Sequence, residues 1–318
     1  MKKIITIGIF ISTFLFGCSS SDDSSSDSGQ WQLTALNTNS VVNKLCSAGN
    51  TIYVSNGSEI SKSTDNGDTW STVNTGLTNV TSYDIFVING EIHLSATKYL
   101  TSSVETKYYK SNNNGDTWVQ VWNALSSSNL GNGFHPKIVY LVGSKLFGAV
   151  NNDFGISRIF NSSDNGITWN LLSTTFSIQS PFQNNFMFDG TNYYITDMNG
   201  LYKSSNGINY TLNNDFTYGF KYSAILGNKI YYSAGSDMSY SDNGGSSWLD
   251  INSGLPLSLS FLYSNGQNIY TGGASGVYVL NNNTWNQLGY DIQQVFKVTT
   301  TNNYIFALAE GGLYRYNL

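Results

Sequence analysis

Short apolar runs that alternate with polar positions recur along most of this chain. They are rich in Ile, Tyr, Val and Phe, and Gly, Asn or Asp follows each of them. Clear examples lie at 51–54, 145–148, 229–232 and 303–306. A period of two residues, bounded by turn formers, predicts antiparallel β-strands joined in a meander.

A polar motif interrupts this pattern at regular intervals and predicts one hairpin turn in each unit of four strands. Ser-Thr-Asp-Asn-Gly-Asp-Thr-Trp at 63–70 returns as Ser-Ser-Asp-Asn-Gly-Ile-Thr-Trp at 162–169. Weaker copies lie at 111–118 and 241–248, a shortened copy at 204–210 and a remnant at 281–285. Asp or Asn accepts hydrogen bonds from N–H groups further along the chain, and Gly supplies a positive φ. The Trp is expected to begin the fourth strand and to pack between sheets.

The number of aromatic residues at the end position of the motif gives the number of units. These residues are Trp31, Trp70, Trp118, Trp169, Tyr210, Trp248 and Trp285. Seven starts predict an all-β, seven-bladed β-propeller of four-stranded antiparallel blades over residues 30–318, with six blades as the alternative. Residues 31–33 are predicted to form a fourth strand that no first three strands precede. Residues 294–318 are predicted to form three strands that lack a fourth. The N-terminal strand should therefore complete the last blade and remove the open edges there.

The pattern Ser-x-Asp-x-Gly-x-Thr-Trp resembles the Asp box, or BNR repeat, of sialidases, xyloglucanases and sortilin-type receptors. The resemblance covers residues 31–318. It implies that the motif hairpins lie on one face of the propeller and that binding sites lie on the other, near the axis. A calcium loop at 65–68 is the competing interpretation, but the flanking helices and bidentate Glu it needs are missing from the sequence.

The first 29 residues differ from the rest. Two lysines precede an apolar run at 4–16, which predicts a secretory signal, and the segment ends Leu-Phe-Gly-Cys at 15–18. This resembles the lipobox of bacterial lipoproteins and implies that residues 1–17 are a signal peptide and that Cys18 is lipidated. An ordinary signal peptide is the alternative. Residues 18–29 are Ser/Asp-rich and are expected to form a flexible tether.

The acidic tether resembles surface-export signals of Bacteroidota lipoproteins. This implies a domain that is anchored to the outer membrane by lipid and displayed outside the cell, with the periplasmic face as the alternative. The membrane is then one partner. A polysaccharide or an envelope protein is the second expected partner.

Composition excludes several functions. Charged residues make up 11% of the chain, against about 25% in typical domains. The net charge is −5 and no basic cluster occurs, so nucleic acid is not expected as a partner. No metal site and no cofactor are predicted, because ligand spacings and phosphate-binding loops are absent from the sequence. Cys46 is expected to be a small buried apolar group.

The longest insertions, at 96–107 and 120–135, are predicted to be loops of neighbouring blades on the binding face. Aromatic rings beside carboxylates suit sugars. The predicted ligand-binding residues are Tyr99, Glu105, Trp122, Phe134, His135 and Phe154. His135, Asp153 and Glu310 are candidates for catalysis.

The enzyme classes can be compared with these residues. A sialidase would need three arginines for the substrate carboxylate, whereas this chain has only Arg158 and Arg315. Arg315 is expected to be a solvated structural residue on a third strand. A glycoside hydrolase would need a pair of carboxylates, and no spacing singles one out. A lyase would need a base, for which His135 is the candidate; His93 falls at a core-packing position of the repeat.

Scarce His and Arg, together with neutral aromatic loops, favour binding of a glycan or a protein partner without catalysis. A polysaccharide-degrading hydrolase or lyase is the alternative hypothesis. Assembly of envelope proteins is the third.

Overall fold

The computed structural model describes residues 29–36, 42, 44–80, 82–88, 90–99, 104–122, 135–151, 157–164, 168–172, 186–197, 200–215, 222–234 and 236–318. Every regular element among these residues is a β-strand. Over the same ranges, no helix has the length and apolarity needed to cross a membrane. Residues 1–28, which contain the predicted signal and most of the tether, lie outside the described part.

The strands form seven four-stranded antiparallel sheets, the blades. Blade 1 contains β2 (Lys44–Ala48), β3 (Thr51–Ser55), β4 (Ile60–Ser63) and β5 (Ser71–Thr72), and blade 2 contains β6 (Ser82–Ile88), β7 (Glu91–Tyr99), β8 (Val104–Ser111) and β9 (Val119–Trp122). Blade 3 contains β10 (His135–Val142), β11 (Lys145–Asn151), β12 (Ser157–Ser162) and β13 (Asn170–Leu171), and blade 4 contains β14 (Phe186–Phe188), β15 (Tyr193–Asp197), β16 (Gly200–Ser204) and β17 (Thr211–Asp215).

The remaining strands complete three further blades. Blade 5 contains β18 (Tyr222–Leu226), β19 (Lys229–Ala234), β20 (Asp237–Ser241) and β21 (Leu249–Asp250), and blade 6 contains β22 (Phe261–Ser264), β23 (Ile269–Gly273), β24 (Gly276–Asn281) and β25 (Thr284–Leu288). Blade 7 contains β26 (Lys297–Thr300), β27 (Tyr304–Ala309), β28 (Gly312–Asn317) and, as its fourth strand, β1 (Gln32–Leu33).

The first strand of every blade contacts the first strands of both neighbouring blades. The chain of contacts runs from β2 through β6, β10, β14, β18 and β22 to β26, and β26 contacts β2 again. These inner strands therefore surround a central axis. The predicted seven-bladed propeller is confirmed, and the six-bladed alternative is wrong because each of the seven sheets is complete.

The two ends of the chain meet in blade 7, as predicted. Gln32 pairs with Arg315 and Leu33 with Tyr314, in antiparallel register. The indole N–H of Trp31, which is 6% exposed, donates to the Leu288 carbonyl at 2.7 Å. The N-terminal strand thus binds its own blade by backbone pairing and the preceding blade by a buried ring.

The hydrophobic core lies between blades and not within one central volume. One cluster between blades 1 and 2 contains Tyr53, Ile85 and Leu94 with Trp118 packed against it. A corresponding cluster between blades 5 and 6 contains Trp285. The motif aromatic residue of each of these blades packs against the preceding blade, which confirms the expected position between sheets.

The repeated motif forms the hairpin between the third and fourth strands, here called the Ser–Trp hairpin. In blade 1, Ser63 Oγ donates to Asp65 Oδ1 at 2.8 Å and accepts from the Gly67 N–H at 2.8 Å. The Thr69 N–H donates to Asp65 Oδ1 at 2.9 Å. Asn66 and Gly67 have φ values of 60° and 90°, which explains the requirement for Asn-Gly. The Thr69 hydroxyl, then its N–H and Ser63, lower the pKa of Asp65 to about 2.

The hairpin of blade 5 keeps the same hydrogen bonds although Asn243 stands in place of the Asp. Asn243 accepts from the Ser241 hydroxyl at 2.8 Å and from the Ser247 N–H at 3.0 Å, as Asp65 does in blade 1. Its amide also donates to Ser247 Oγ at 2.7 Å, whereas Asp65 accepts the corresponding hydroxyl of Thr69. The side-chain acceptor is therefore the constant feature, and the carboxylate is not.

A cation on the third strand connects each of two hairpins to the preceding blade. Lys62 Nζ donates to the Asn114 carbonyl at 2.9 Å and to Asp116 Oδ1 at 2.6 Å. Arg315 makes the corresponding contacts across the seam, to the Asn66 carbonyl at 2.9 Å and to Asp68 Oδ1 at 2.7 Å. Arg315 is structural, as predicted. Its expected solvation is wrong, because its side chain is only 19% exposed in this contact.

The predicted loop at 96–107 is also wrong in large part. β7 and β8 continue as a ladder that pairs Thr97 with Thr106 and Tyr99 with Val104. The segment carries few apolar residues because a ribbon that extends beyond its neighbours has little core to pack against. The sequence therefore lacks the alternation on which strand prediction depends.

His93 lies in the core, as predicted. It is 7% exposed, it stacks on Phe86 with ring centroids 5.9 Å apart, and its Nδ1 is hydrogen bonded to the Tyr108 hydroxyl at 2.8 Å. Burial lowers the pKa of this imidazole to about 4. His93 is therefore neutral at physiological pH.

This pKa predicts acid sensitivity. In an unfolded chain the pKa of His93 returns to about 6.5, so the unfolded state takes up a proton first as the pH falls. The stability associated with neutral His93 is complete above pH ~6.5 and is lost down to pH ~4, on the order of 3 kcal/mol because one pKa unit corresponds to about 1.4 kcal/mol. We expect His93→Phe to reduce the pH 7-to-4 fall in the free energy of unfolding, measured by urea titration.

The control is Tyr231→Phe, which changes the corresponding position of blade 5 without removing a group that titrates in this range. Equal pH dependence in His93→Phe and the unsubstituted chain would contradict the assignment.

Candidate functional site

The two faces of the ring are distinguished by their connections. The lower face carries the Ser–Trp hairpins. The upper face carries the segments that lead into the inner strands and the turns between second and third strands. Tyr99, Glu105, Trp122, His135 and Glu310 all lie at strand ends or turns of this upper face.

The described backbone separates two of these residues along blade 2. Trp122 pairs with Tyr108, whereas Tyr99 pairs with Val104, four positions further along β8. Tyr99 and Trp122 are therefore about 13 Å apart along the strand direction. His135 begins β10 in the next blade. Phe134, Asp153 and Phe154 lie outside the described residues, so their proposed roles stay predictions.

The described carboxylates of the upper face are mostly engaged in turns. Asp197 is 2% exposed and accepts the Gly200 N–H at 3.2 Å. Asp237 accepts from the Asn252 amide at 3.2 Å. Glu310 is exposed in the turn between β27 and β28. Within the ranges that the structure describes, no three His, Cys, Asp or Glu residues are placed to hold a metal ion.

A charged cluster lies where the inner strands of blades 7, 1 and 2 begin. Lys44 is the first residue of β2, Lys297 is the first residue of β26, and Asp84 is near the start of β6. Lys44 Nζ is 2.9 Å from Asp84 Oδ1, and their side chains are only 16% and 19% exposed. We call these three residues the axial mouth, because inner strands surround the axis and their first residues face the upper side.

Hydrogen bonds between β2 and β26 fix the height of Lys44 and Lys297 relative to each other along the axis. Ser47 Oγ donates to the Thr300 carbonyl at 2.6 Å and is 2.9 Å from Thr299 Oγ1. Because β2 and β26 run in the same direction, this register places Lys44, three residues before Ser47, level with Lys297. Three consecutive blades therefore contribute one charged side chain each at the same height.

The electrostatic environment of the mouth agrees with this placement. Burial and, secondly, the ammonium of Lys44 lower the pKa of Lys297 to about 8, while Asp84 and Cys46 act in the opposite direction. Burial raises the pKa of Cys46 to about 12. Cys46 packs against the cluster between blades 1 and 2, as expected for a small apolar group. With a pKa of about 8, the ammonium of Lys297 loses its proton at a lower pH than an exposed lysine does.

Two exposed aromatic residues lie in the segment that leads into β26. Phe296 directly precedes Lys297 and is 51% exposed, and Tyr290 in the same connecting segment is 82% exposed. Gln294 holds this segment in place with φ 50°. Its N–H donates to the Ala274 carbonyl and its carbonyl accepts the Glu310 N–H, each at 3.2 Å. A left-handed backbone at a Gln is uncommon, so this segment is fixed in a costly conformation.

The prediction of site residues from the sequence missed Lys44, Lys297 and Phe296. A signal was present, since Lys44 and Lys297 each occupy the first position of an inner strand. The inner strands are the least similar part of the repeat, so their register could not be aligned until the sheets were known.

Comparisons with known proteins show only the fold. No family model matches the chain, and no curated protein matches it. The structure is similar to the extracellular domain of BT4673 from B. thetaiotaomicron, at 12% identity and TM-score 0.62 over 90% of this chain and 40% of that one. It is also similar to an ancestral GH74 enzyme, at 16% identity and TM-score 0.56 over 90% and 47%. BamB from Moraxella catarrhalis shares 12% identity at TM-score 0.52, over 88% and 86%. This chain thus spans less than half of the first two.

The pKa of Lys297 is open to direct measurement. We expect its side chain, followed by NMR of ¹³C-labelled lysine, to titrate near pH 8. Asp84→Asn should lower this pKa because it removes the carboxylate that favours the charged form. Lys44→Gln should raise it because it removes a repelling ammonium.

Asp242→Asn on the lower face is the control and should leave the titration of Lys297 unchanged. Titration of Lys297 near pH 10.5 in the unsubstituted chain would show that the mouth is open to solvent and not built as described.

Proposed function

We propose that this protein is an Asp-box β-propeller that binds a glycan on its upper face without cleaving it. The observation that carries the proposal is the axial mouth with its adjacent aromatic residues. Exposed rings such as Phe296 can stack on the C–H faces of a sugar, and the Lys44 and Lys297 ammonium groups donate hydrogen bonds to its oxygen atoms. A rigid ring holds these groups in place before a ligand arrives, which lowers the entropic cost of binding.

Membership of the Asp-box group rests on the Ser–Trp hairpins. In blades 1, 2 and 5 the Ser, the Asp or Asn, and the Gly make the same set of hydrogen bonds, and in blade 4 a shortened copy keeps the bond from Gly207 to Ser204 Oγ at 2.9 Å. The structural role of these polar residues in the turn supports the proposed assignment. These hairpins lie on the lower face, and they support the fold instead of the binding of ligand.

The absence of cleavage is proposed from the roles of the acidic groups. Hydrolysis of a glycosidic bond needs two carboxyl groups on opposite sides of that bond. Among the described residues of the upper face, Asp84 is paired with Lys44, and Asp197 and Asp237 are engaged in turns. Asp291 accepts the Trp31 N–H at 3.0 Å. The likeness to an ancestral GH74 enzyme concerns the fold alone.

We further propose that the propeller is anchored to the outer membrane through lipid on Cys18 and displayed at the cell surface. The support is the Leu-Phe-Gly-Cys sequence and the Ser/Asp-rich tether that follows it. A tether of 18–29 would allow the upper face to turn away from the membrane.

A glycan array probed with the full chain tests binding, and reducing-end and unsaturated-product assays on the same glycans test cleavage. We expect retention of at least one glycan class and no product. Phe296→Ala should weaken that binding by several-fold to about tenfold, the usual contribution of one aromatic contact. Leu249→Ala, an exposed residue of an outer strand, is the matched control.

Release of oligosaccharide from any bound glycan would overturn the proposal in favour of an enzyme. Failure to retain any glycan, with capture of an envelope protein by the upper face, would overturn it in favour of a role in assembly.

The anchor is tested by metabolic labelling with an alkyne fatty acid. We expect the label on the unsubstituted chain and its loss in Cys18→Ser, while Cys46→Ser keeps it. Protease treatment of intact cells should then remove the propeller. Label retained in Cys18→Ser, or protection of the propeller in intact cells, would contradict the anchoring or the display respectively.

A further inference from the structure

The blades do not all carry the same hairpin on the lower face. In blades 1, 2, 4 and 5, a side chain of the preceding blade donates a hydrogen bond to a carbonyl of the Ser–Trp hairpin, blade 7 being the one that precedes blade 1. The pairs are Arg315 with Asn66, Lys62 with Asn114, Asn161 with Gly207, and Asn213 with Gly244. Each of these hairpins is thus folded back over the blade before it.

The hairpin of blade 6 is built differently. Its strands stay paired up to a two-residue turn at Asn282 and Asn283, whose φ values are 50° and 61°. In blade 5 the ladder already ends at Tyr240 and Leu249, before the Ser–Trp hairpin begins. A two-residue turn with positive φ values follows the twist of its own strands. The blade 6 hairpin therefore continues its own sheet.

A cavity of about 520 Å³ lies between blades 5 and 6 on the lower face. We call it the blade 5–6 groove, and the residues that line it include Lys229, Tyr231, Asn268, Ile269, Asn282 and Asn283. Tyr231 corresponds to Tyr194 of blade 4, because each pairs with the residue that precedes the hairpin Ser. The hairpin of blade 5 packs on Tyr194, whose hydroxyl would lie 3.0 Å from a Cβ at Gly244. The groove leaves the corresponding space beside Tyr231 open.

The groove keeps a cation but not the group that accepts it in other blades. Tyr240 occupies the third-strand position that Lys62 and Arg315 hold in blades 1 and 7. Lys229 Nζ lies 4.3 Å from the centroid of the Tyr240 ring, so its ammonium is beside that position. Among the described residues, no oxygen atom accepts a hydrogen bond from this ammonium. Lys62 and Arg315 each bind a carbonyl and a carboxylate of the next hairpin.

We propose that the blade 5–6 groove binds an acidic turn of a partner protein, which occupies the space that a Ser–Trp hairpin of blade 6 would fill. A backbone carbonyl and a carboxylate of this turn accept from Lys229, as Asn114 and Asp116 accept from Lys62. Asn-Gly-Asp sequences present these two groups at 66–68 and 114–116. The surface lies on the opposite face from the proposed glycan site and goes beyond that function.

The lining of the groove favours a peptide turn over a sugar. Tyr231 is only 5% exposed, so little of its ring is available to stack on a sugar. The amide groups of Gln267, Asn282 and Asn283 can donate to backbone carbonyls and accept from backbone N–H groups. The ammonium of Lys229 supplies the charge that complements a carboxylate.

The test uses a backbone-cyclised peptide that contains residues 61–72 of this chain and a fluorescent label. The fluorescence anisotropy of this peptide is measured as the full chain is added at low salt. We expect saturable binding. A peptide with Asp68→Asn should bind roughly tenfold more weakly, because hydrogen bonds between charged groups are the strong ones. Lys229→Gln in the chain should weaken binding of the original peptide by a similar factor.

Lys145→Gln is the matched control. Lys145 is the first residue of β11, as Lys229 is of β19. The hairpin of blade 4 already covers it, since a Cβ at Gly207 would lie 2.9 Å from Lys145 Cδ. Peptide binding should therefore be unchanged in this variant. It should also be unchanged in Phe296→Ala, which separates the groove from the proposed glycan site.

A further variant fills the groove from within the chain. Replacement of residues 280–284 by the sequence of residues 63–69 gives blade 6 a complete Ser–Trp hairpin in front of Trp285. The new hairpin competes with the peptide for the same space, so peptide binding should be lost. Near-ultraviolet circular dichroism checks that this variant and the two lysine variants are folded.

The inference would be overturned by a lack of saturable peptide binding, by equal affinity for the Asp68→Asn peptide, or by undiminished binding in Lys229→Gln or in the filled variant. A glycan that is retained by Phe296→Ala but not by the filled variant would show that the groove binds sugar, and this result would also overturn it. Loss of all glycan binding, with peptide binding intact, would contradict the proposed function and leave this inference standing.

Discussion

The antiparallel pairing of Gln32 and Leu33 with Arg315 and Tyr314 closes the ring, and the upper face depends on it. Lys297 belongs to the last blade and Lys44 to the first, so they become neighbours only when the ends of the chain meet. Without this pairing, β28 would lose its partner strand and the link that β1 makes to blade 6. Two paired residues are few, and the buried ring of Trp31 adds the apolar contact that holds them there.

The two faces use their cations differently. On the lower face, Lys62 and Arg315 donate to hairpins of the following blade, so their charge is used to fix the angle between neighbouring sheets. At the upper face, Lys44 forms an ion pair at 2.9 Å with Asp84 of the following blade, so its charge connects two inner strands instead of a hairpin.

The repeat made the fold predictable and left the site less so. The hairpin motif marks the start of each fourth strand, and the orphan strand at Trp31 implied closure without any tertiary information. His93 could be placed in the core because its position in the repeat holds aromatic residues elsewhere. The axial mouth is different in kind, since Lys44, Asp84 and Lys297 come from three blades and share no motif. Their proximity follows from inner-strand register, which alternating apolar residues alone do not fix.

The cost of the axial mouth is itself an argument for a ligand. A partly buried ion pair such as Lys44 and Asp84 contributes little to stability, because desolvation offsets most of its attraction. Burial and the ammonium of Lys44 both disfavour the charged form of Lys297, the other lysine of the mouth. Further along the same inner strands the contacting residues are neutral, with Ser47 opposite Thr299 and Thr300. Charged groups that are kept where they weaken the fold are typical of binding sites, and here they lie where a rigid ring can present them to a ligand.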